Sequence, residues 1–219
     1  SDYNSSCLTG PVIFELLDAT YSVTANSESF PLTINSNSSA SATNTLTIRP
    51  ASGVSVLISG TVNSNGLFRI LGSYVTVNGS NNSSTTRDLT LQNLGATNPR
   101  VVIVGSTSTT PITNVIIRNT VIENGSNSQT SAQGVLVSSS GGAAGYFNNI
   151  SIVNNSFVKT YYGVYSTAVS ASGNGSGLLI QNNLMNNSGA NSIGYSAVYL
   201  LGVDGYEVSG NSIGNIETT

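Results

Sequence analysis

Apolar and polar residues alternate along most of this chain in runs of four to seven, each closed by Gly, Asn or Pro. That is the pattern of short half-buried strands, and no stretch carries a helical stripe. The reading predicts strands at Val12–Leu17, Phe30–Ile34, Leu46–Pro50, Val54–Gly60, Leu67–Gly72, Tyr74–Gly79, Leu89–Asn93 and Val101–Gly105. Beyond these the pattern becomes a repeat. Ile150-Ser151-Ile152-Val153-Asn154-Asn155-Ser156-Phe157 returns at Leu178 to Met185 and at Tyr206 to Ile213, with a looser copy at Val115 to Ile122. Asn155, Asn183 and Asn211 fall at equal steps of 28 positions. A second ladder accompanies the first: Gly134 to Val137, Gly163 to Ser166 and Ala197 to Leu200.

Self-similarity at this period, with two or three strands per unit, predicts a stacked all-β solenoid, a parallel β-helix. A β-sandwich explains the strands but not the constant Asn spacing. Alternation places Ile150, Ile152, Leu178, Ile180 and Val208 in the bore. Asn155, Asn183 and Asn211 are expected at one corner, taking the left-handed turn and bonding from coil to coil as a structural ladder. Val135, Val164 and Val198 should face inward, and Leu136, Tyr165 and Tyr199 outward, one above another. Ser138 to Phe147 and Thr167 to Gly177 read as loops on one side of the stack. The expected organisation is one domain over residues 1–219, with a cap region at 1–34 and coils at 35–219, cut from or belonging to a longer protein.

Composition narrows the partners. Only 7% of the 219 residues are charged, and net charge is −3. The six cations are scattered, so the clustered basic surface that grips nucleic acid is not expected. No apolar run approaches the roughly 20 residues of a membrane-spanning helix, so no membrane insertion is expected. Cys7 is the sole cysteine and has no internal partner. Asn-x-Ser/Thr triplets, including Asn37, Asn78, Asn82 and Asn154, are expected by chance in a chain this rich in Asn and Ser.

With no histidine, Ser-His-Asp catalysis and His-based metal sites are excluded. The four Asp and five Glu are dispersed, which argues against paired-carboxylate hydrolysis and against a calcium site. No cofactor is expected. Lys159, beside Tyr161 and Tyr162, is the place where a lyase-type base could stand, and a surface lysine at a turn is the plainer reading. Tyr165 and Tyr199, with Tyr161, Tyr162 and Lys159, are the candidate glycan-binding residues, and Tyr146 and Tyr195 would extend that face. The same tyrosines also fit ordinary strand packing.

Gly10 to Leu16, Phe30 to Ile34 and Ala42 to Pro50 resemble the start of right-handed β-helix modules in large secreted proteins of Bacteroidetes. Tyr74-Val75-Thr76-Val77-Asn78-Gly79 is similar to their recurring YVTIDG element, with Val77 and Asn78 in place of Ile and Asp. The later Asn-Asn repeats resemble the wider pectate-lyase-like superfamily. The resemblance implies a right-handed β-helix exported by type IX secretion to the cell surface or extracellular space. Adhesion or scaffolding is then the expected role, with self-association through the β-helix ends and contact with polysaccharide. A polysaccharide lyase or hydrolase of that superfamily is the alternative.

Overall fold

A computed structural model describes residues 2–217, of Asp2 the backbone only; Ser1, Thr218 and Thr219, which the expected domain includes, lie outside the described residues. The short strands assemble into three parallel sheets. The first holds Val12–Leu16, Leu46–Pro50, Val75–Asn78, Ile112–Arg118, Phe147–Val153, Leu178–Gln181 and Tyr206–Ser209, in that order. The second holds Thr20–Ser22, Val56–Gly60, Leu89–Asn93, Thr120–Asn124, Ser156–Val158, Leu184–Met185 and Ser212–Ile213. The third runs from Leu32–Ile34 through Gly66–Ile70, Arg100–Val104, Gln133–Val137 and Tyr162–Thr167 to Ser196–Leu201. Successive strands visit the three sheets in turn and each pairs with its counterpart one circuit later, so the chain is a parallel β-helix.

The expected strands are present with ends trimmed into turns. Thr20–Ser22 was not foreseen, because three residues with the single ring of Tyr21 are too short to establish a stripe. Two four-residue helices, Asp2–Ser5 and Val23–Asn26, escaped the reading for the same lack of a stripe. Within the expected cap region, residues 12–34 supply the first strand of every sheet, while Tyr3 and Leu8 join the core. Tyr3 meets Phe14 edge to face at 6.2 Å.

The bore is filled by registered columns. Ile48, Val77, Ile117, Ile152, Ile180 and Val208 align in the first sheet. Tyr21, Ile58, Leu91, Ile122 and Phe157 align in the second, and Phe68, Val102, Val135, Val164 and Val198 in the third. Each fully buried aliphatic side chain contributes about 1.5–3 kcal/mol over exposure, so these columns supply the cohesion that a low-charge surface does not. Val208 departs from expectation: it holds the bore register but is 39% exposed. It sits in an edge strand of its sheet, covered by Ile180 from one side only.

Coils approach each other closely at the corners. A Cβ on Gly105 would stand 1.7 Å from the Ser138 carbonyl oxygen of the next coil, so only glycine allows that contact. The loops after the third sheet also stack rather than project freely: Gly145 bridges Ala168 in parallel, and its N–H donates to Thr167 O.

Candidate functional site

The repeated Asn motif turns out to divide its work between two adjacent positions. The left-handed conformation belongs to Asn119, Asn154, Asn182 and Gly210, with φ of 58°, 54°, 55° and 63°. Asn155, Asn183 and Asn211, to which that turn was assigned, do not adopt it. This corrects the expectation, and the reason is steric: one αL residue suffices to swing the chain from the first sheet to the second, and the residue after it must point its side chain inward. There the ladder forms as expected. Asn183 Oδ1 accepts from the Asn155 N–H at 2.9 Å and from Asn155 Nδ2 at 3.1 Å. Asn183 Nδ2 donates to Ile152 O and to Asn211 Oδ1, both at 2.9 Å. Thr120 starts the ladder, donating through its N–H and hydroxyl to Asn155 Oδ1.

The outer positions form a second ladder. Asn119 Nδ2 donates to Asn78 Oδ1, and Asn154 Nδ2 to Asn119 Oδ1. Arg87 clamps it, its guanidinium donating to Asn154 O at 2.8 Å and Asn154 Oδ1 at 2.6 Å. Other corners use single buried asparagines the reading passed over: Asn93, Asn124 and Asn174 each donate to two backbone carbonyls. All of this is architecture, satisfying backbone groups that a turn would otherwise bury unpaired.

The tyrosines form the other distinctive cluster. Tyr165 and Tyr199 are partners in the parallel register of the third sheet. Their rings stack at 4.7 Å with a 9° interplanar angle, matching the ~4.8 Å strand spacing. One corner earlier, Tyr161 and Tyr195 stack at 5.2 Å and 6°. Tyr162, the first residue of its strand, stands between the two stacks and meets all four rings edge-on, at 4.9 to 5.6 Å. Edge-to-face contacts of this kind are worth about 0.5–1.5 kcal/mol each beyond area burial. Burial pushes the phenols of Tyr162 and Tyr165 up from their ordinary range, and neighbouring phenols add to it. Tyr195 is exposed and the other four rings are half-buried.

The structure thus brings together Tyr161, Tyr162, Tyr165 and Tyr199, and adds Tyr195 as a full member. Tyr146 does not join them. It precedes the first-sheet strand Phe147–Val153, where its carbonyl accepts from Ile112. Leu136, expected outward in the tyrosine column, shares their register but is fully buried. Ile103 and Tyr165 flank it, and the following loop returns to lay Gly142 against the Arg100 guanidinium. Lys159 stands at the corner before Tyr161 with φ of 55°, its N–H donating to Asn191 O. Among the described residues its ammonium makes no ion pair or hydrogen bond. Nor do the described residues contain a group of three or more His, Cys, Asp or Glu placed to hold a metal.

What this arrangement can do chemically is present aromatic ring edges and hydroxyls to a ligand with alternating apolar and polar parts, the faces within each stack being covered by the partner ring. Comparison of the chain with protein-family models, with curated proteins and with solved structures gives no match.

Proposed function

We propose that this chain is a non-catalytic β-helix of the cell surface or extracellular matrix, serving as adhesin or scaffold, and that its tyrosine face holds the sugar rings of a glycan. The observation that carries this reading is the half-exposed cluster of Tyr161, Tyr162, Tyr165, Tyr195 and Tyr199. Sugar rings have apolar faces and polar edges. A phenol ring covers the first at low entropic cost, having two side-chain torsions, and its hydroxyl serves the second. The resemblance to secreted Bacteroidetes modules supports export and surface display.

The test is a glycan panel read against wild type and Tyr162→Ala. Binding by wild type that falls about tenfold or more in the variant, with both proteins measured well below their melting temperatures so that each is folded, supports the reading. No binding to any glycan removes it and leaves a purely structural role. The competing lyase or hydrolase reading rests on Lys159 beside Tyr161; release of new reducing ends or unsaturated products from any bound polysaccharide would favour it. Self-association is supported by the edge strands of the first sheet, which present Ile13 and Tyr206 to solvent at 52% and 60% exposure. Sedimentation over a concentration series tests that part.

A further inference from the structure

Charge on this molecule is segregated. Residues 124–203 contain neither Asp nor Glu, and the six third-sheet strands contain none either. Those strands do carry two cations, Arg69 and Arg100. Among the described residues the one ion pair joins Arg49 to Glu15, elsewhere on the first sheet. Arg69 and Arg100 therefore lie on a sheet with no counter-ion.

Arg100 is the better placed. It lies in register with Gln133, and Gln133 with Tyr162, so it stands two strands from the centre of the tyrosine cluster, about 10 Å along the helix axis. The buried Gln133 side chain fixes its orientation by accepting from Nε at 3.1 Å. A Cβ on Gly142 would sit 3.2 Å from Nη2, so glycine lets the loop backbone lie close over the guanidinium. The terminal nitrogens Nη1 and Nη2 make no hydrogen bond among the described residues. Partial burial lowers the pKa of the group, with no carboxylate to offset the loss of hydration. A half-desolvated, oriented guanidinium with its fork free is suited to bidentate binding of a planar anion.

We infer that Arg100, held by Gln133, forms an anion subsite beside the tyrosine cluster, making this face selective for acidic glycans. The inference rests on the proposed glycan-binding reading and supplies its ligand class: a linear oligosaccharide whose rings lie on Tyr165, Tyr199 and Tyr162 while a carboxylate or sulfate meets Arg100.

The experiment is titration calorimetry with length-matched neutral, uronate-bearing and sulfated oligosaccharides, on wild type, Arg100→Gln, Arg100→Lys and Tyr162→Ala. Wild type should bind an acidic ligand roughly tenfold or more tightly than the neutral one, and the preference should shrink with added salt. Whichever acidic ligand shows it identifies carboxylate or sulfate. Arg100→Gln should bring acidic and neutral ligands to equal affinity, and Arg100→Lys should keep part of the preference, the charge without the fork. Tyr162→Ala should weaken neutral and acidic ligands together. Equal binding of neutral and acidic ligands by wild type, or a preference that survives Arg100→Gln, overturns the subsite and leaves the tyrosine platform standing. Equal affinity for an acidic peptide of the same charge overturns the glycan assignment. Absence of binding to every oligosaccharide overturns both readings.

Discussion

Replacing Asn183 by Ala removes four hydrogen bonds from a side chain with no solvent exposure. The Asn155 N–H is left without its acceptor inside the corner, and such an orphan costs about 1–3 kcal/mol. Asn155 Nδ2 keeps Ile117 O, so its loss is partial. Ile152 O and Asn211 Oδ1 each lose a donor, at about 0.5–1.5 kcal/mol apiece net. The expected total is about 2–6 kcal/mol, or a melting temperature lower by roughly 4–24 °C at ~2–4 °C per kcal/mol for a chain of this size. Asn186→Ala is the matched control. Asn186 lies in the same coil, but its exposed amide makes one bond, to Ser212 Oγ, so the change should stay within about 0.5 kcal/mol. Calorimetric melting of both variants is the assay. Because stacked coils lose stability locally, amide exchange should quicken in the strands flanking Asn183. Equal melting temperatures for the two variants would refute the ladder's energetic role. Loss of glycan binding by a still-folded Asn183→Ala would refute its purely structural assignment.

Three further outcomes follow from the same packing. Ser166 occupies the bore column of Ile34, Ile70, Val104, Val137 and Leu200, and its buried hydroxyl has no partner; Ser166→Val should stabilise by about 1–3 kcal/mol, read as a raised melting temperature, and a lowered one would show the hydroxyl to be satisfied. Arg87→Ala removes two of the hydrogen bonds that tie the loop at 80–88 to Asn154, leaving the one from Asn154 Nδ2 to Thr85 O, and should cost about 1.5–3 kcal/mol, with faster limited proteolysis in that loop; an unchanged cleavage pattern would count against the clamp. The raised phenols of Tyr162 and Tyr165 make stability depend on alkaline pH. Their contribution is complete below the unfolded-state value of 10.0 and is lost as pH climbs through the higher folded-state values. Denaturant midpoints should therefore fall above about pH 10, and less so in Tyr162→Phe; an identical decline in both would remove the cluster as the cause.

The bore was legible in the sequence because its rule is local: Ile150 and Ile152 alternate with polar neighbours, and the 28-residue spacing repeats them. The Tyr165–Tyr199 pair was legible for the same reason, both following an inward valine. The division between Asn182 and Asn183 was not, because two adjacent asparagines look alike until one is seen at positive φ and the other inside. Tyr195 could be placed near the face but not in a stack with Tyr161, since a turn of irregular length fixes that corner. Leu136 misled because alternation reports which way a side chain points and not how completely its surroundings cover it. Arg100 left no local signal at all: its meaning depends on Gln133 and Tyr162, brought beside it only by coil register, and on acids that are missing across a long stretch.

On the proposed reading, function resides on the tyrosine face while the Asn corners hold the fold. The most direct measurement is NMR of ring-labelled tyrosines titrated with the oligosaccharide that binds best. Resonances of Tyr162, Tyr165 and Tyr199 should shift with saturating dependence on ligand, while those of Tyr21, Tyr74, Tyr146 and Tyr206 stay in place. Shifts confined to the latter set, or spread evenly over both, would contradict that reading.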